Sequence, residues 1–394
     1  MEINILRTNN ERSLAHIEEI KELVPLPGYD RVVHAQILGW RCIVGKDDFK
    51  VGDKCVYFEI DSLVNPEDER FAFLEKRNYK IRTIKMCKVI SQGLAMPLSV
   101  FPELGDLSVG TDVTKELKVT YYNPEDRKRK SNTSDPNAKY QSMAARHKNL
   151  FQKKPIRWLM RRDWGKKLLF IFFGKKKDNP KGFPSWIKRS DEVRIENMPW
   201  ILSDRDKRYS VTSKIDGTSS TYGIEKKKRG YDFIVCSRNV RQKDRDQECY
   251  HDLNVYWEMA DKYDIEQKLT DFVKKIGAEK VYLQGETYGP KVQGNPLKVD
   301  ERQFAAFNFW VDGKRYTNEE LFVWCDQYNI PHVPVVFEHH QVPDNIDDMK
   351  LEAEGASMIN PQVLREGLVY REESNPDMSF KNVAMSYLLS KKGD

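Results

Sequence analysis

Over the first 120 positions, apolar residues recur at nearly every second place in short runs set apart by charged and small residues. Arg31–Val44 has a strand pattern with turn residues on both flanks, and Val51–Ile60 follows a Lys-Asp-Asp turn. Lys80–Pro97 carries two further strand-like runs around Ser91-Gln92-Gly93. Short strands at this spacing, with little helix between them, predict a small barrel. Beyond residue 183 the period alternates between two kinds. Strand patterns at Arg208–Thr212, Ser219–Ile224 and Tyr231–Val235 give way to Asp252–Ile276, where Tyr256, Met259, Tyr263, Leu269, Phe272, Val273 and Ile276 keep helical spacing. Strands follow at Lys280–Gln284 and Phe304–Val311, a helix at Asn318–Gln327, and strands at Gly367–Arg371 and Ser379–Asn382. This order predicts an α+β domain built on antiparallel sheets.

Between the two lies a segment with neither pattern. Glu125–Gln141 is rich in charge, Ser, Asn and Pro and is expected to be loosely held. Ser142–Gly174 has helix formers and interleaves Trp158, Trp164, Phe170, Phe172 and Phe173 with Arg and Lys, the aromatics serving either to pack on a domain or to stack on bases. The expected layout is therefore a β domain over 1–120, a basic connector over 121–183 and the α+β domain over 184–394.

Charge sharpens the picture of the connector. The whole chain carries +6, yet residues 127–189 hold 20 Lys or Arg against three acids, or +17, which leaves −11 on the remainder. A basic block beside an acidic remainder is the footprint of a polyanionic partner, nucleic acid before anionic membrane. Cys42, Cys55, Cys87, Cys236, Cys249 and Cys325 are dispersed, without a Cys-x-x-Cys pair. They read as reduced thiols in a cytoplasmic-type compartment, the nucleus not being excluded, and not as a disulfide framework or zinc site. No signal peptide opens the chain, so secretion is not expected. The longest apolar run, Leu168–Phe173, is six residues, against about 20 needed to span a bilayer. It suits a buried strand or a surface-dipping segment.

The candidate chemistry centres on Lys214-Ile215-Asp216-Gly217, set between two β-prone runs. A lysine presented at a strand end becomes a nucleophile once burial, a metal ion or neighbouring cations strip its proton. Alone, such a tetrapeptide is also an ordinary Asp-Gly turn. It is followed in order by Ser237-Arg238-Asn239, Leu283-Gln284-Gly285-Glu286, Phe304–Trp310, Glu366-Gly367-Leu368-Val369-Tyr370-Arg371 and Ser379-Phe380-Lys381. This series resembles the collinear motifs of covalent nucleotidyltransferases, the polynucleotide ligases and mRNA capping enzymes. Gly285-Glu286-Thr287-Tyr288-Gly289-Pro290 with Gln293-Gly294-Asn295, and Lys381 leading into Tyr387-Leu388-Leu389, are similar to an ATP-dependent RNA ligase. The branch resembled is RNA ligase family 5, in which an OB module precedes the ligase domain.

The resemblance implies an all-β OB-fold domain followed by an antiparallel-sheet nucleotidyltransferase domain of ATP-grasp-like kind. Asp191–Asn197 would be the helical lead-in to the nucleotide lysine. On the OB module, Tyr79, Lys80, Arg82, Lys85 and Lys88 would form an RNA-facing surface, or ordinary solvated edges. The implied activity joins RNA 3′-hydroxyl and 5′-phosphate ends, in RNA repair, through a lysyl-AMP and an AMP-capped RNA, with ATP and Mg²⁺ or Mn²⁺. Lys214 would carry AMP and Lys381 would contact the α-phosphate. Ile215, Gly217, Arg238, Glu286 and Phe307 would complete the nucleotide site, with Phe307 either under the purine or in the core. Asp216, Glu286 and Glu366 would hold the metal, mostly through water. The family's last motif has two lysines separated by one residue, and Ser379 stands in the first place.

DNA ligases and capping enzymes share the lysine chemistry but carry an OB domain after the last motif. Only 13 residues follow Lys381, so RNA ligase is favoured and the chain is expected to act on RNA as a monomer. A non-catalytic RNA-binding protein that kept the fold is the alternative from another class.

Overall fold

A computed structural model describes residues 13–121, 140, 154–160, 162–173, 182–242 and 254–390. The chain forms two compact units, residues 1–122 together with 183–394, and residues 123–182. Apart from Tyr140, the loose segment expected over Glu125–Gln141 lies outside the described residues, as does Cys249.

The N-terminal strands build a five-stranded antiparallel sheet in the order Trp40–Gly45, Tyr29–Ile37, Ala15–Leu26, Lys54–Phe58, Leu94–Pro97. Ala15–Leu26 carries the architecture, since its first residues pair with Lys54–Phe58 and its later ones with Tyr29–Ile37. The register shifts between Ile20 and Glu22, and such a bulge bends a strand so that one sheet can curl upon itself. Periodicity does not single this strand out. Ile17, Ile20, Leu23 and Val24 are spaced as on a helix among helix-favouring Glu and Lys, and pairing on both edges overrides that preference. The run Arg31–Val44 is a hairpin and not one strand, turning at Leu38-Gly39. One core gathers Ile17, Val56, Phe58, Phe71 and Phe101, the other Ile20, Ala35, Trp40, Cys42, Cys55 and Tyr57. The basic face expected at Tyr79–Lys88 forms only in part. Lys80 bridges to Leu63 and is 6% exposed, and Tyr79 packs on the core, while Lys85 and Lys88 remain exposed on the hairpin Ile84–Met86/Val89–Ser91.

The C-terminal part is α+β, as expected. One sheet runs Val193–Arg194, Ser379–Val383, Gly367–Glu372, Tyr209–Lys214, Val335–His340; the other runs Arg241–Gln242, Tyr231–Ser237, Thr218–Lys226, Lys280–Tyr288, Gln303–Val311, Lys314–Arg315. Helices Val255–Lys262, Ile265–Ile276 and Asn318–Tyr328 contribute Tyr256, Leu269, Phe272 and Trp324 to the core under Leu283, Phe304 and Phe309 of the second sheet. The helical period over Asp252–Ile276 therefore spans two helices, broken at Asp264 in the left-handed region (φ +50°). Periodicity survives such a break because both halves bury the same face. Asp191–Asn197, expected as helix, is instead the short strand Val193–Arg194 and a 3₁₀ turn at Ile195–Asn197, drawn out by parallel pairing with Phe380 and Lys381. Leu168–Phe173 belongs to a helix, Asp163–Phe173, and not to a strand. No described helix is long and apolar enough to cross a membrane.

The N-terminal sheet is seated on the 3₁₀ turn. Gly39 N donates to Glu196 O at 2.8 Å, and a Cβ on Gly39 would lie 2.8 Å from Glu196 Cα, so only glycine permits this approach. Beside it runs a buried polar chain. Trp40 donates to Asn197, Asn197 donates to Glu59, and His16 lies between Glu18 (2.7 Å) and Glu59 (3.4 Å). At the rim, Arg41 pairs with Asp347 at 3.1 Å and Lys350 donates to Gly39 O at 3.2 Å.

Candidate active site

Strand parity selects which side chains share the cleft. Tyr209, Val211, Leu368, Tyr370 and Phe380 enter a core with Ile201, Leu202, Val342 and Met349. Alternation then turns Thr212, Lys214, Val369 and Lys381 to the opposite face, where Lys214 pairs with Gly367, and Val369 with Thr212 and Lys381. In the second sheet Leu283 packs toward the helices while Glu286, paired with Ser219 and Ala305, has the other parity. Ile215-Asp216-Gly217 carries the chain from one sheet to the other. A Cβ at Gly217 would lie 2.3 Å from Thr287 O, so the missing side chain lets the crossover pass tightly against the strand that bears Glu286.

Four charged groups meet there. Lys214 Nζ lies 2.8 Å from Glu366 Oε2. Burial works to lower the lysine's pKa, but Glu366, Glu286 and Asp216 outweigh it and hold the ammonium above its ordinary range. The deprotonated amine expected from the sequence is thus not the resting form; three acids around one lysine stabilise its charge. Glu286 shows the other side of this imbalance. Burial, helped by Glu366 and Asp216, pushes its carboxyl up to about 8 against the pull of Lys214 and Arg238. Among the described residues no three His, Cys, Asp or Glu side chains form a metal-ligating group.

Two contacts around this cluster had no clear signal in the sequence. Tyr387, on the last helix Met385–Ser390, donates its phenol to Asp216. Burial and the nearby Asp216 and Glu366 push that phenol's pKa up. Arg194 lies beside Lys381 in the parallel pair and is 6% exposed, with Nε and Nη1 lacking a partner among the described residues. Its Nη2 is 3.8 Å from Asp61. A buried guanidinium with spare donors next to Lys381 suits an oxyanion. A parallel pairing of two residues with a strand nearly 190 positions away leaves no periodic signal.

The remaining candidates sit at the cleft margins. Phe307 is the extra residue of a bulge, since Gln284 pairs with Asn308 and Gly285 with Ala306. That bulge re-aims the ring toward Ile215, Tyr288, Leu297, Ala305 and Val333, against which it is half-buried. Arg238, just past the strand Tyr231–Ser237, donates to Asp191 at 2.6 Å and lies 5.0 Å over the Tyr121 ring. Ser379 donates to Glu192 and accepts from Arg315 Nη1 at 3.1 Å. Arg315 also pairs with Glu192 at 2.7 Å, while Arg371 donates to Phe307 O at 2.9 Å and to Asn308 and Asn318. Burial disfavours an ionised Glu192, but Arg315 and Arg371 outweigh it and keep its carboxyl below the usual range. The Ser379 hydroxyl is therefore held by the Arg315 guanidinium, which is itself paired with Glu192.

Comparison with known proteins bears on both halves of this molecule. Residues 14–98 match an OB-fold domain family and residues 207–384 match the RNA ligase family. No curated protein matches the chain. Among solved structures, a mutant RNA ligase of Naegleria gruberi with AMP and Mn is 26% identical, at a TM-score of 0.72 over 96% of this chain and 98% of that one. The same enzyme with PPi gives 26% identity, a TM-score of 0.72, and coverage of 96% and 98%. Another mutant with ATP and Mn gives 25%, 0.71, and 95% and 98%.

Proposed function

We infer, from the premise that this chain is an RNA ligase with an OB fold ahead of its ligase domain, that the Lys214 cleft is where it carries out ATP-dependent joining of 3′-hydroxyl and 5′-phosphate RNA ends. In the first step Lys214 Nζ attacks the α-phosphorus of ATP. The N–P bond forms as the bond to the bridging oxygen of pyrophosphate breaks, and pyrophosphate leaves. Before attack the ammonium gives up a proton, and Glu366 at 2.8 Å is the acceptor in contact. In the second step the 5′-phosphate of RNA displaces Lys214 from AMP; in the third a 3′-hydroxyl displaces AMP and closes the phosphodiester.

The donor set fits a divalent cation. Three carboxylates share one lysine, and one of them, Glu286, is held up to about 8 by burial with Glu366 and Asp216 adding to it. Asp216, Glu286 and Glu366 would hold Mg²⁺ or Mn²⁺ through water, since they do not converge as direct ligands. Such an ion, when bound, lowers the lysine's pKa and neutralises phosphate oxygens. Lys381 and the adjoining Arg194 would take non-bridging α-phosphate oxygens in all three steps. Phe307 and Ile215 would form the apolar floor for the purine. Arg238 would leave Asp191 for the nucleotide's ribose or phosphate.

The observation that carries this reading is the single lysine enclosed by Glu366, Glu286 and Asp216 at the crossover between sheets. We place the enzyme in RNA repair, acting as a monomer. Cys42, Cys55, Cys236 and Cys325 are free and buried, as suits a reducing, cytoplasmic-type compartment. Sealing assays on matched nicked RNA and nicked DNA test it. The reading predicts joined RNA with a transient AMP-capped end, all lost in Lys214→Ala; equal joining of DNA would contradict the RNA assignment.

A further inference from the structure

Within residues 123–182, Lys154–Met160 and Asp163–Phe173 form a helical hairpin. The two helices close at Gly165, where a Cβ would lie 2.2 Å from Leu159 O, and Leu169 is 4% exposed. The two tryptophans touch across this closure but stay half-exposed. Trp158 is 51% and Trp164 52% exposed, and their rings meet edge to face at 6.1 Å. Arg162 lies 4.2 Å over the Trp158 ring.

Two half-exposed tryptophans side by side leave apolar surface that folding does not cover, so a partner that covers them is the simpler explanation. The charge around them says what kind. The +17 carried by residues 127–189 calls for a polyanion. Arg162 lies over the Trp158 ring, and both half-exposed indoles leave π surface beside cations. That pairing of ring and guanidinium matches the way unpaired bases and their phosphates are held together. Along the second helix the exposed Trp164 and Leu168 are interrupted by exposed Lys167, which favours a strand with alternating bases and phosphates over a continuous hydrocarbon surface.

We propose that the Trp158–Trp164 hairpin is an RNA-binding arm that stacks unpaired bases of the strand to be sealed while its lysines and arginines take the flanking phosphates. This deepens the ligase reading, on which the identity of the strand rests. Its role is in capturing RNA, not in charging the lysine.

The test uses the full chain with Trp158→Ala/Trp164→Ala, and Trp158→Phe/Trp164→Phe as the conservative partner. Binding of a labelled 5′-phosphorylated single-stranded RNA is measured without ATP, alongside AMP uptake on protein. The arm predicts RNA binding weakened about tenfold or more in the alanine variant, largely restored by phenylalanine, with AMP uptake within twofold of the parent. RNA affinity unchanged in the alanine variant overturns the proposal. So does loss of AMP uptake together with RNA binding in both variants, which makes the hairpin a folding element. Flotation with phosphatidylserine vesicles closes the alternative. Vesicle binding that depends on the tryptophans and is not displaced by RNA would make the arm a membrane contact and overturn the proposal. A parent protein that binds RNA through these tryptophans yet takes up no AMP would support the arm while removing the ligase reading.

Discussion

Tyr387 donates its phenol to Asp216, a residue 171 positions earlier in the chain and two beyond Lys214. The last helix is itself fixed there, since Glu354 accepts from Met385 N at 2.7 Å and from the Ser386 hydroxyl. The C-terminal helix thus holds the orientation of an acid that would serve the metal. Tyr387→Phe should remove one charge-assisted hydrogen bond, typically about 1.5–3 kcal/mol, and slow lysine adenylylation about tenfold or more at unchanged fold. Single-turnover AMP transfer to protein, with circular dichroism as the control for folding, checks this.

Glu286 should make the protein less stable as pH rises. Its folded pKa of about 8 lies above the unfolded value near 4.5, so the native state holds the extra proton and stability falls as pH rises between those values. In metal-free protein, Glu286→Gln should therefore melt above the parent at pH 8 and converge with it near pH 4.5. A variant that melts below the parent at pH 8 would contradict the unfavourable burial.

His16 should work through the OB–ligase interface. Burial opposes its charge, but Glu18 and Glu59 outweigh burial and raise it to about 9. A raised histidine stabilises fully below its unfolded pKa near 6.5 and loses that contribution as pH climbs through 9. The midpoint of thermal unfolding should fall between pH 6.5 and 9.5, and His16→Gln should flatten that slope.

Gly217→Ala would place a Cβ 2.3 Å from Thr287 O. The two sheets must then part, with a cost of about 2 kcal/mol or more. AMP transfer should fall by more than the loss of folded protein accounts for, because Lys214 and Glu286 separate together. Activity kept at the folded fraction would show that the crossover tolerates the change.

The legible parts of this molecule were those where one face decides everything. Strands such as Tyr29–Ile37 and the helix Ile265–Ile276 bury one side against a core, and their period announces it. Lys214, Asp216, Glu286, Glu366 and Lys381 could be picked out because their order along the chain resembles a known series. What stayed hidden depends on partners far off in sequence. Ala15–Leu26 reads as helix until both edges are paired, and Arg194 acquires its place from a two-residue parallel pairing with Ser379–Val383. The resting charge of Lys214 was also hidden, because it depends on how many acids surround the amine and not on which residues follow it.

The claim on which the account turns is that Lys214 becomes covalently charged with AMP. Purified protein given ATP and Mn²⁺, then digested and read by mass spectrometry, measures this directly. The account predicts one adenylyl group on the peptide containing Lys214, absent from Lys214→Ala and absent when a chelator removes the metal. No mass gain, or an adenylyl group on any other residue, would contradict it.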